Sequence, residues 1–192
     1  MEGGHATVDL LTGKENPSGK LPLSFPMCYR DCPTYLNQPS PDWTLNYGEG
    51  LYVGYRYYDK KELPVNFPFG HGLSYTSFAY SNLSVDKEKL TDRETVTVSV
   101  DVSNMGTVAG KAAVQLYVRD AKSAVRRPLR ELRDFTKVAL QPCETKTVTF
   151  TLDKRAFAYY EPKVHDFFVE SGEFSIEIGE SCRDIRLSMS VH

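Results

Sequence analysis

The chain has 192 residues, of which 41% are hydrophobic and 25% are charged, a composition typical of a folded globular protein. Its formal net charge of −2 gives no reason to expect nucleic acid or an anionic membrane as a partner. No apolar run approaches the ~18 residues that a membrane-spanning helix needs, which argues against an integral membrane protein.

The amino terminus reads MEGGHATVDL and lacks the basic flank and apolar stretch of a signal peptide. A cytoplasmic protein is therefore favoured, unless the chain is an internal piece whose targeting signal lies elsewhere. The cysteines form no CxxC pair and lie far from the histidines, so their spacing predicts no metal site and no cofactor. Cys28 and Cys32 could form a bridge in an oxidising compartment, but reduced, partly buried thiols are favoured.

Residues 1–26 are typical of the end of an α/β domain. A short helix that stops at Gly13 is predicted from the apolar residues Ala6, Val8, Leu10 and Leu11. Asn16 to Gly19 is a turn signal, and LPLSF then alternates like a short strand. Pro22 predicts an edge position for that strand, because proline cannot donate to a ladder. One helix and one edge strand cannot bury a core, so the body of this α/β domain is expected elsewhere.

Residues 27–75 contain most of the prolines and many of the tyrosines but show little sustained periodicity. A stretch of this length without regular structure is unusual inside a compact domain, and it is too aromatic for a flexible linker. We therefore predict an extended arm that lies over a partner surface with its aromatic side chains as anchors. Without that partner, the arm is expected to be poorly ordered or to pair with another copy.

Residues 76–192 show the two-residue period of half-buried strands. Valines alternate with polar residues in TVTVSVDV, and similar patterns recur near 114–118, 148–152, 174–178 and 185–191. With further strands in FAYSNLSV and at 135–140, this segment has about seven predicted strands. The count predicts a mainly β fold, an antiparallel sandwich of the immunoglobulin or fibronectin III type. The single tryptophan, Trp43, precedes the segment, which argues against an antibody-type domain.

The stretch FPFGHGLSYTSF offers glycines around a histidine, as phosphate-binding loops and histidine sites do. A phosphate loop needs a following helix and further glycines, whereas Gly70 and Gly72 precede a β-prone stretch. A lone His71 between glycines is more often a hydrogen-bonded turn residue than a catalytic base. We predict that Gly70 and Gly72 form a hinge between the arm and the sandwich, pinned by neighbouring aromatic side chains.

Other motifs are weak candidates for chemistry. Ser40-Pro41-Asp42-Trp43 places a carboxylate beside an aromatic ring, as sugar pockets do, but a proline-rich loop offers no rigid support, so a solvated loop is favoured. The arginine-rich segment 126–134 interleaves acids and leucines and predicts a solvated, ion-paired loop. No GxSxG elbow or Ser/His/Asp order is present, so covalent catalysis is not predicted.

The tyrosine-rich part of the arm is the main candidate for binding. Aromatic rings with polar tips suit both sugar stacking and protein docking. Docking is favoured because nothing else in the arm predicts the concave pocket that a ligand needs. The candidate docking residues are Glu49, Tyr52, Tyr55, Arg56, Tyr57 and Tyr58.

Several long motifs, in order, resemble the carboxy-terminal region of family 3 glycoside hydrolases, the β-glucosidase family. They cover nearly the whole chain and read NPSGKLPLSFP, YGEGLYVGYRYYD, FPFGHGLSYTSFAYSNL, VSNMGTVAGKAAVQLYVRD and RPLRELRDFTKVALQPCETKTVTFTL. Cys143 departs from the resemblance, because the family usually has glycine in that turn.

The resemblance implies a domain plan and an absence of catalytic residues. Residues 1–26 correspond to the end of the α/β sandwich domain, 27–75 to a linking arm, and 76–192 to a fibronectin III-like domain. The aspartate nucleophile, in an SDW motif, and the acid/base glutamate belong to regions upstream of Met1. The resemblance therefore implies a carboxy-terminal fragment that is itself inactive and braces the upstream catalytic domains of a retaining enzyme. The alternatives are a carbohydrate-binding module and a stand-alone protein-interaction domain.

Overall fold

The structure is a computed structural model that describes residues 3–37 and 43–192. Before the sandwich, its elements are helix α1 (Gly3–Leu11), strand β1 (Phe25–Pro26), a 3₁₀ turn (Tyr29–Asp31), helix α2 (Tyr55–Lys60) and strand β2 (Val65–Phe67). No helix in the described ranges is long and apolar enough to cross a bilayer.

The strand predicted in LPLSF is shorter than expected and displaced. Only Phe25 and Pro26 form β1, which pairs antiparallel with β2 of the arm, and Pro22 lies outside it. The alternation was misleading because Leu21 is instead bonded to the segment before the sandwich. Its N–H donates to the carbonyl of His71 over 2.8 Å, and its carbonyl accepts from Gly70 over 2.8 Å.

The sandwich consists of antiparallel strands, as the alternation predicts. They are β3 (Phe78–Val85), β4 (Val96–Asn104), β5 (Gly110–Asp120), β6 (Glu131–Leu140), β7 (Thr145–Leu152), β10 (Phe174–Ser181) and β11 (Asp184–Val191). Between β7 and β10 lie the short helix α3 (Lys154–Phe157) and a small hairpin of β8 (Tyr159–Glu161) and β9 (Asp166–Phe168).

Two sheets face each other across the core. One has three strands in the order β3-β4-β7, and the other has four in the order β11-β10-β5-β6. The four valines of β4 at 96, 98, 100 and 102 are fully buried, and Val100 lies opposite Val148 of β7. Leu116 and Ile178 are paired neighbours on the facing sheet and are also fully buried. This aliphatic core, typical of a fibronectin III-like sandwich, holds the two sheets together.

Strand β5 is buried on both of its faces. Val114 and Leu116 point into the sandwich core, whereas Ala113, Gln115 and Tyr117 point the other way and are buried as well. Side chains alternate between the faces of a strand, so a second layer must cover the outer face of the four-stranded sheet. The arm supplies that layer, and it creates the site described next.

Candidate functional site

The arm meets the outer face of β5 in an aromatic cluster around Tyr55 of α2. The Tyr55 ring stacks on Phe69 with 4.7 Å between centroids, and its centroid lies 6.3 Å from that of Tyr117 in an edge-to-face arrangement. Its hydroxyl oxygen accepts the backbone N–H of Leu132 over 2.8 Å. Such aromatic contacts stabilise beyond their buried area, and together they fix α2 on the sandwich. We call the contact of Tyr55 and Phe69 with Tyr117 and Leu132, together with the ion pairs around it, the seam.

Helix α2 presents one face to the seam. Its buried residues are Tyr55, Tyr58 and Asp59, which stand at positions i, i+3 and i+4 and therefore share a side of the helix. The chain enters α2 through Gly54, whose φ of 61° favours glycine. Tyr57 and Lys60 lie outside this buried set.

Ion pairs surround the aromatic cluster. Asp59 is buried, and its Oδ1 lies 2.8 Å from Nε of Arg183 in the turn before β11. Arg183 also donates through Nη2 to the carbonyl of Leu63 over 2.8 Å. Removing Arg183 would leave the Asp59 carboxylate in a largely dry environment, which is costly, so the pair holds α2 beside the turn that precedes β11.

A second ionic group centres on Glu131 at the start of β6. Its Oε1 lies 3.1 Å from Nη2 of Arg56 on α2. Its Oε2 lies 3.2 Å from Arg127 and 2.7 Å from Arg133. Arg127 also pairs with Asp120 over 3.2 Å. One carboxylate thus bridges guanidinium groups from both the arm and the sandwich.

Burial raises the pKa of two groups, one in the seam and one within the arm. It raises the pKa of the Cys182 thiol to about 12, and the nearby Asp59 carboxylate adds to the shift. Burial, with contributions from Cys32, likewise raises the pKa of Tyr58 to about 12. Both groups therefore stay neutral even in mildly alkaline solution, and Cys182 behaves as a packing residue rather than a nucleophile.

The join at residues 70–72 is tightly packed. Gly70 has a φ of +82°, and a Cβ there would lie 2.2 Å from Oε1 of Gln115. Nε2 of Gln115 donates to the carbonyls of Gly70 and Glu180, and its Oε1 accepts from Tyr117 over 2.6 Å. A Cβ on Gly72 would lie 2.2 Å from the carbonyl oxygen of Gly19. Both positions require glycine for close approach, whereas hinge motion about them remains a prediction.

The structure divides the candidate docking residues into two groups. Tyr55 and Arg56 belong to the seam, where they contact the sandwich or its salt bridges, whereas Tyr58 is buried on the same helix beside Cys32 of the arm. The others line an open cavity of about 510 Å³, formed with the loop that carries Arg126; they are Glu49, Tyr52 and Tyr57. Whether either group docks on another domain remains a prediction.

Two further expectations are wrong. The arm was expected to be poorly ordered or to pair with another copy, but its part from 55 to 69 packs on the sandwich of the same chain, where Tyr55 and Phe69 complete a core with Tyr117. The segment 126–134 is ion-paired as expected but not simply solvated. The Arg127 side chain is only 7% exposed, and residues from Glu131 onward belong to β6.

Two remaining motifs also have a place. Of the segment Ser40-Pro41-Asp42-Trp43, residues 40–42 lie outside the described residues, and Trp43 is 99% exposed. The cysteines are free thiols; Cys182 is buried and Cys32 half-buried, whereas Cys28 and Cys143 are exposed. Within the described ranges, no group of three or more histidine, cysteine or acidic side chains could hold a metal ion.

Sequence reasoning missed the sandwich side of the seam. Gln115, Tyr117, Cys182 and Arg183 received no role, yet they receive the arm. One signal was present in KAAVQLYVRD. The positions of β5 that alternate with the core residues include Ala113 and Tyr117, and apolar residues on both faces indicate a sheet covered on both sides.

Comparison with known proteins shows two matches to family models. Residues 1–75 match the glycosyl hydrolase family 3 C-terminal domain, and residues 112–182 match the fibronectin type III-like domain. The chain is 58% identical to thermostable β-glucosidase B of Acetivibrio thermocellus over 98% of its own length and 25% of that protein. It is 46% identical to an exo-α-(1→6)-L-arabinopyranosidase of Bifidobacterium breve, covering all of this chain and 25% of that protein.

Solved structures show the same relationship. A family 3 β-glucosidase of Bifidobacterium adolescentis superposes with a TM-score of 0.92 at 44% identity, over 98% of this chain and 28% of that one. β-Glucosidase 3B of Thermotoga neapolitana, in complex with glucose, superposes with a TM-score of 0.89 at 38% identity, over 98% of this chain and 26% of that one.

The fold and the seam therefore define a fibronectin III-like sandwich with a docked amino-terminal arm. The chain belongs to glycoside hydrolase family 3, as the carboxy-terminal region of its β-glucosidases. It spans about a quarter of the length of the curated relatives named here.

Proposed function

We propose that this chain is the carboxy-terminal bracing region of a longer, retaining β-glucosidase. The proposal is supported by relatives that carry the same region at one quarter of their length and include a named β-glucosidase. Hydrolysis with retention uses two carboxyl groups and a covalent glycosyl-enzyme. In this proposal both carboxyl groups belong to upstream domains, and no residue of this chain acts in the chemical step.

The observation that carries the bracing role is the contrast between the two halves of the arm. The second half is fixed to the sandwich at the seam, whereas the first half exposes large apolar side chains. Leu36 is 88% exposed and Tyr47 is 84% exposed. Exposed apolar groups that lie near one another in a segment favour a protein contact. In the proposal, upstream domains cover the first half of the arm. The seam then holds the arm, and with it those domains, in a fixed position relative to the sandwich.

The proposal also divides the chain into structural units. Residues 1–26 complete the α/β sandwich domain, 27–75 form the arm, and 76–192 form the fibronectin III-like domain. Glu49, Tyr52 and Tyr57 then face the upstream domains, Tyr55 and Arg56 hold the arm on the sandwich, and Tyr58 packs within the arm.

The first test is the size of the native polypeptide in source cells, detected with an antibody raised against this chain. A band several times larger than 21.7 kDa supports the proposal, whereas a band at this mass contradicts it. In the longer enzyme, Arg56→Ala should lower the melting temperature and leave KM for the glycoside unchanged, with Arg93→Ala as the matched exposed control. A selective rise in KM would instead place Arg56 in sugar binding.

A further inference from the structure

A groove runs along the surface where the arm and the sandwich meet, and Arg126 stands at its middle. On one side is the cavity of about 510 Å³ that includes Asn37, Tyr52 and Tyr57. On the other is a cavity of about 410 Å³ that includes Tyr160 and Phe167 of the β8–β9 hairpin. Arg126 lines both, so we call the two together the Arg126 groove. Each cavity has the size of a small-ligand site.

The arm side of the groove is positively charged. Lys60, Lys61 and Arg126 line it, together with one carboxylate, that of Glu49. Among the described residues, none of these three cations forms a salt bridge. Because the whole chain has a net charge of −2, this local excess of unpaired cations favours an anionic ligand.

The walls of the groove are aromatic at both ends. Tyr52 and Tyr57 are half-buried in the arm cavity, and Tyr160 is 51% exposed on the hairpin. The Phe167 ring is held in place by Arg155, whose guanidinium carbon lies 3.9 Å from the ring centroid. Tyrosine rings offer an apolar face and a polar tip, which suits the C–H faces and hydroxyl groups of a sugar.

These features favour a saccharide over a protein segment as the occupant. Sequence reasoning favoured protein docking because the arm predicts no concave pocket, but the fold creates one from the arm and the Arg126 loop. Lysine is depleted in protein interfaces, whereas this concave groove carries Lys60 and Lys61 on its arm side. Concave sites with a few convergent polar groups are typical of small ligands.

We propose that the Arg126 groove binds an oligosaccharide that contains a sugar acid. The carboxylate lies at Lys60, Lys61 and Arg126, and sugar rings lie against the tyrosines on either side. Arg126 provides the specific contact, because a guanidinium can bind a carboxylate through two parallel hydrogen bonds. This binding role goes beyond bracing, and it requires the groove to stay open at the margin of the surface that faces the upstream domains.

Calorimetric titration of the 192-residue chain tests the proposal with four probes: D-glucuronate, a glucuronate–glucose disaccharide, D-glucose and acetate. The disaccharide should bind most tightly, glucuronate more weakly, and glucose and acetate least. Since exposed charges are screened by salt, affinity for the disaccharide should fall as ionic strength rises. Equal binding of acetate and disaccharide would overturn the proposal, as would the absence of disaccharide binding.

Variants locate the site. Arg126→Ala should weaken disaccharide binding about tenfold or more, the usual effect of losing a hydrogen bond to a charged group. Arg93→Ala, at an exposed arginine outside the groove, should not. Tyr57→Ala should weaken the disaccharide and leave the weak response to acetate unchanged. Unchanged affinity in the Arg126 variant, with thermal unfolding at the wild-type temperature, would overturn the proposal.

A last experiment, the same titration on the longer polypeptide, distinguishes a sugar from a protein occupant. If the groove is filled by an acidic segment of a longer polypeptide, that polypeptide will not bind the disaccharide although the 192-residue chain does. Such a result would overturn the proposal and identify the groove as an interdomain contact. Binding by both forms supports it.

Discussion

The sandwich and the seam are held together in different ways. The sandwich buries rows of aliphatic side chains such as Val98 and Ile176 that need no specific partner. The seam buries few apolar groups and depends on particular pairs, including Asp59 with Arg183. Aliphatic burial is non-directional and adds up over many residues, whereas a polar contact fails when one partner is changed. The sandwich should therefore unfold as a unit, while the seam should open locally.

The largest expected effect is in the sandwich core. Leu116→Ala removes a fully buried side chain from β5 and should lower the free energy of unfolding by about 2–5 kcal/mol. Chemical denaturation should show one transition at a lower midpoint, with arm and sandwich unfolding together. Thr149→Ala, on the exposed face of β7, is the control and should change little. A core variant that loses only the seam would contradict the distinction.

The join at Gly70 should come next in magnitude. Gly70→Ala places a methyl group against Gln115 and keeps a φ of +82°, so it should cost roughly 2–4 kcal/mol through backbone strain and disturbed hydrogen bonds. Gly50→Ala is the matched control, because Gly50 has a φ of +56° and nothing within 4 Å of an added Cβ. Both variants carry the strain of a positive φ, so the difference between their losses in thermal stability measures the cost of packing the methyl group against Gln115. Equal losses of stability would mean that the Gln115 side chain moves aside without cost.

The hydroxyl of Tyr55 should have a smaller and local effect. Tyr55→Phe keeps the ring stack but removes the acceptor for the N–H of Leu132, at a cost of about 1–3 kcal/mol. Hydrogen exchange should quicken in residues 55–60 and remain slow in β4. Tyr160→Phe, at an exposed tyrosine, is the control. Faster exchange throughout the sandwich would show that arm and sandwich open together.

The same contrast explains what could be predicted from sequence. The seven sandwich strands were found because Val96 to Val102, and rows like it, repeat with the period that a half-buried strand imposes. Helix α1 was also predicted, since apolar spacing and Gly13 mark it. Sequence periodicity is enough to predict an element wherever its buried residues recur at a regular spacing.

The seam could not be predicted because its contacts join distant residues. Asp59 and Arg183 are 124 positions apart, and neither residue type indicates burial by itself. Helix α2 is only six residues long, too short for a clear period. The candidate residues in YGEGLYVGYRYYD were the relevant ones to single out, but only the fold separates those in the seam from those that line the groove.

Alkaline pH should weaken the seam through Cys182. Its folded-state pKa of about 12 lies above the ordinary value of 9.0. Below pH 9 the thiol is neutral in both states and its contribution is fully present. As pH rises from 9 toward 12, only the unfolded chain ionises, so the free energy of unfolding should fall by about 1 kcal/mol per pH unit. Denaturation at pH 8.5 and 10.5 measures this loss.

Substitution identifies the group responsible for that loss. Cys182→Ala should be less stable than the wild type at pH 8.5 and should lose less stability between the two pH values. Tyr58, whose pKa is also raised to about 12, should account for part of the remaining slope. Cys143→Ala, at an exposed thiol, should keep the wild-type pH dependence. An unchanged slope in the Cys182 variant would mean that its thiol does not titrate as the burial indicates.

The smallest predicted change increases stability, in the turn between β6 and β7. Cys143 has a φ of 59° and follows Pro142, and the N–H of Glu144 donates to the carbonyl of Gln141 over 3.1 Å. A turn with proline second and a positive φ third favours glycine at the third position. Cys143→Gly should therefore raise the free energy of unfolding by about 1 kcal/mol.

Cys143→Ala separates backbone strain from the chemistry of the thiol. Alanine removes the sulfur but retains a Cβ, so this variant should be no more stable than the wild type. Equal gains in the alanine and glycine variants would attribute the effect to the sulfur instead. Because the turn belongs to the sandwich and lies away from α2, hydrogen exchange in residues 55–60 should not respond to either change. A response there would show that strain in a sandwich turn reaches the seam, and the two regions would then share one stability.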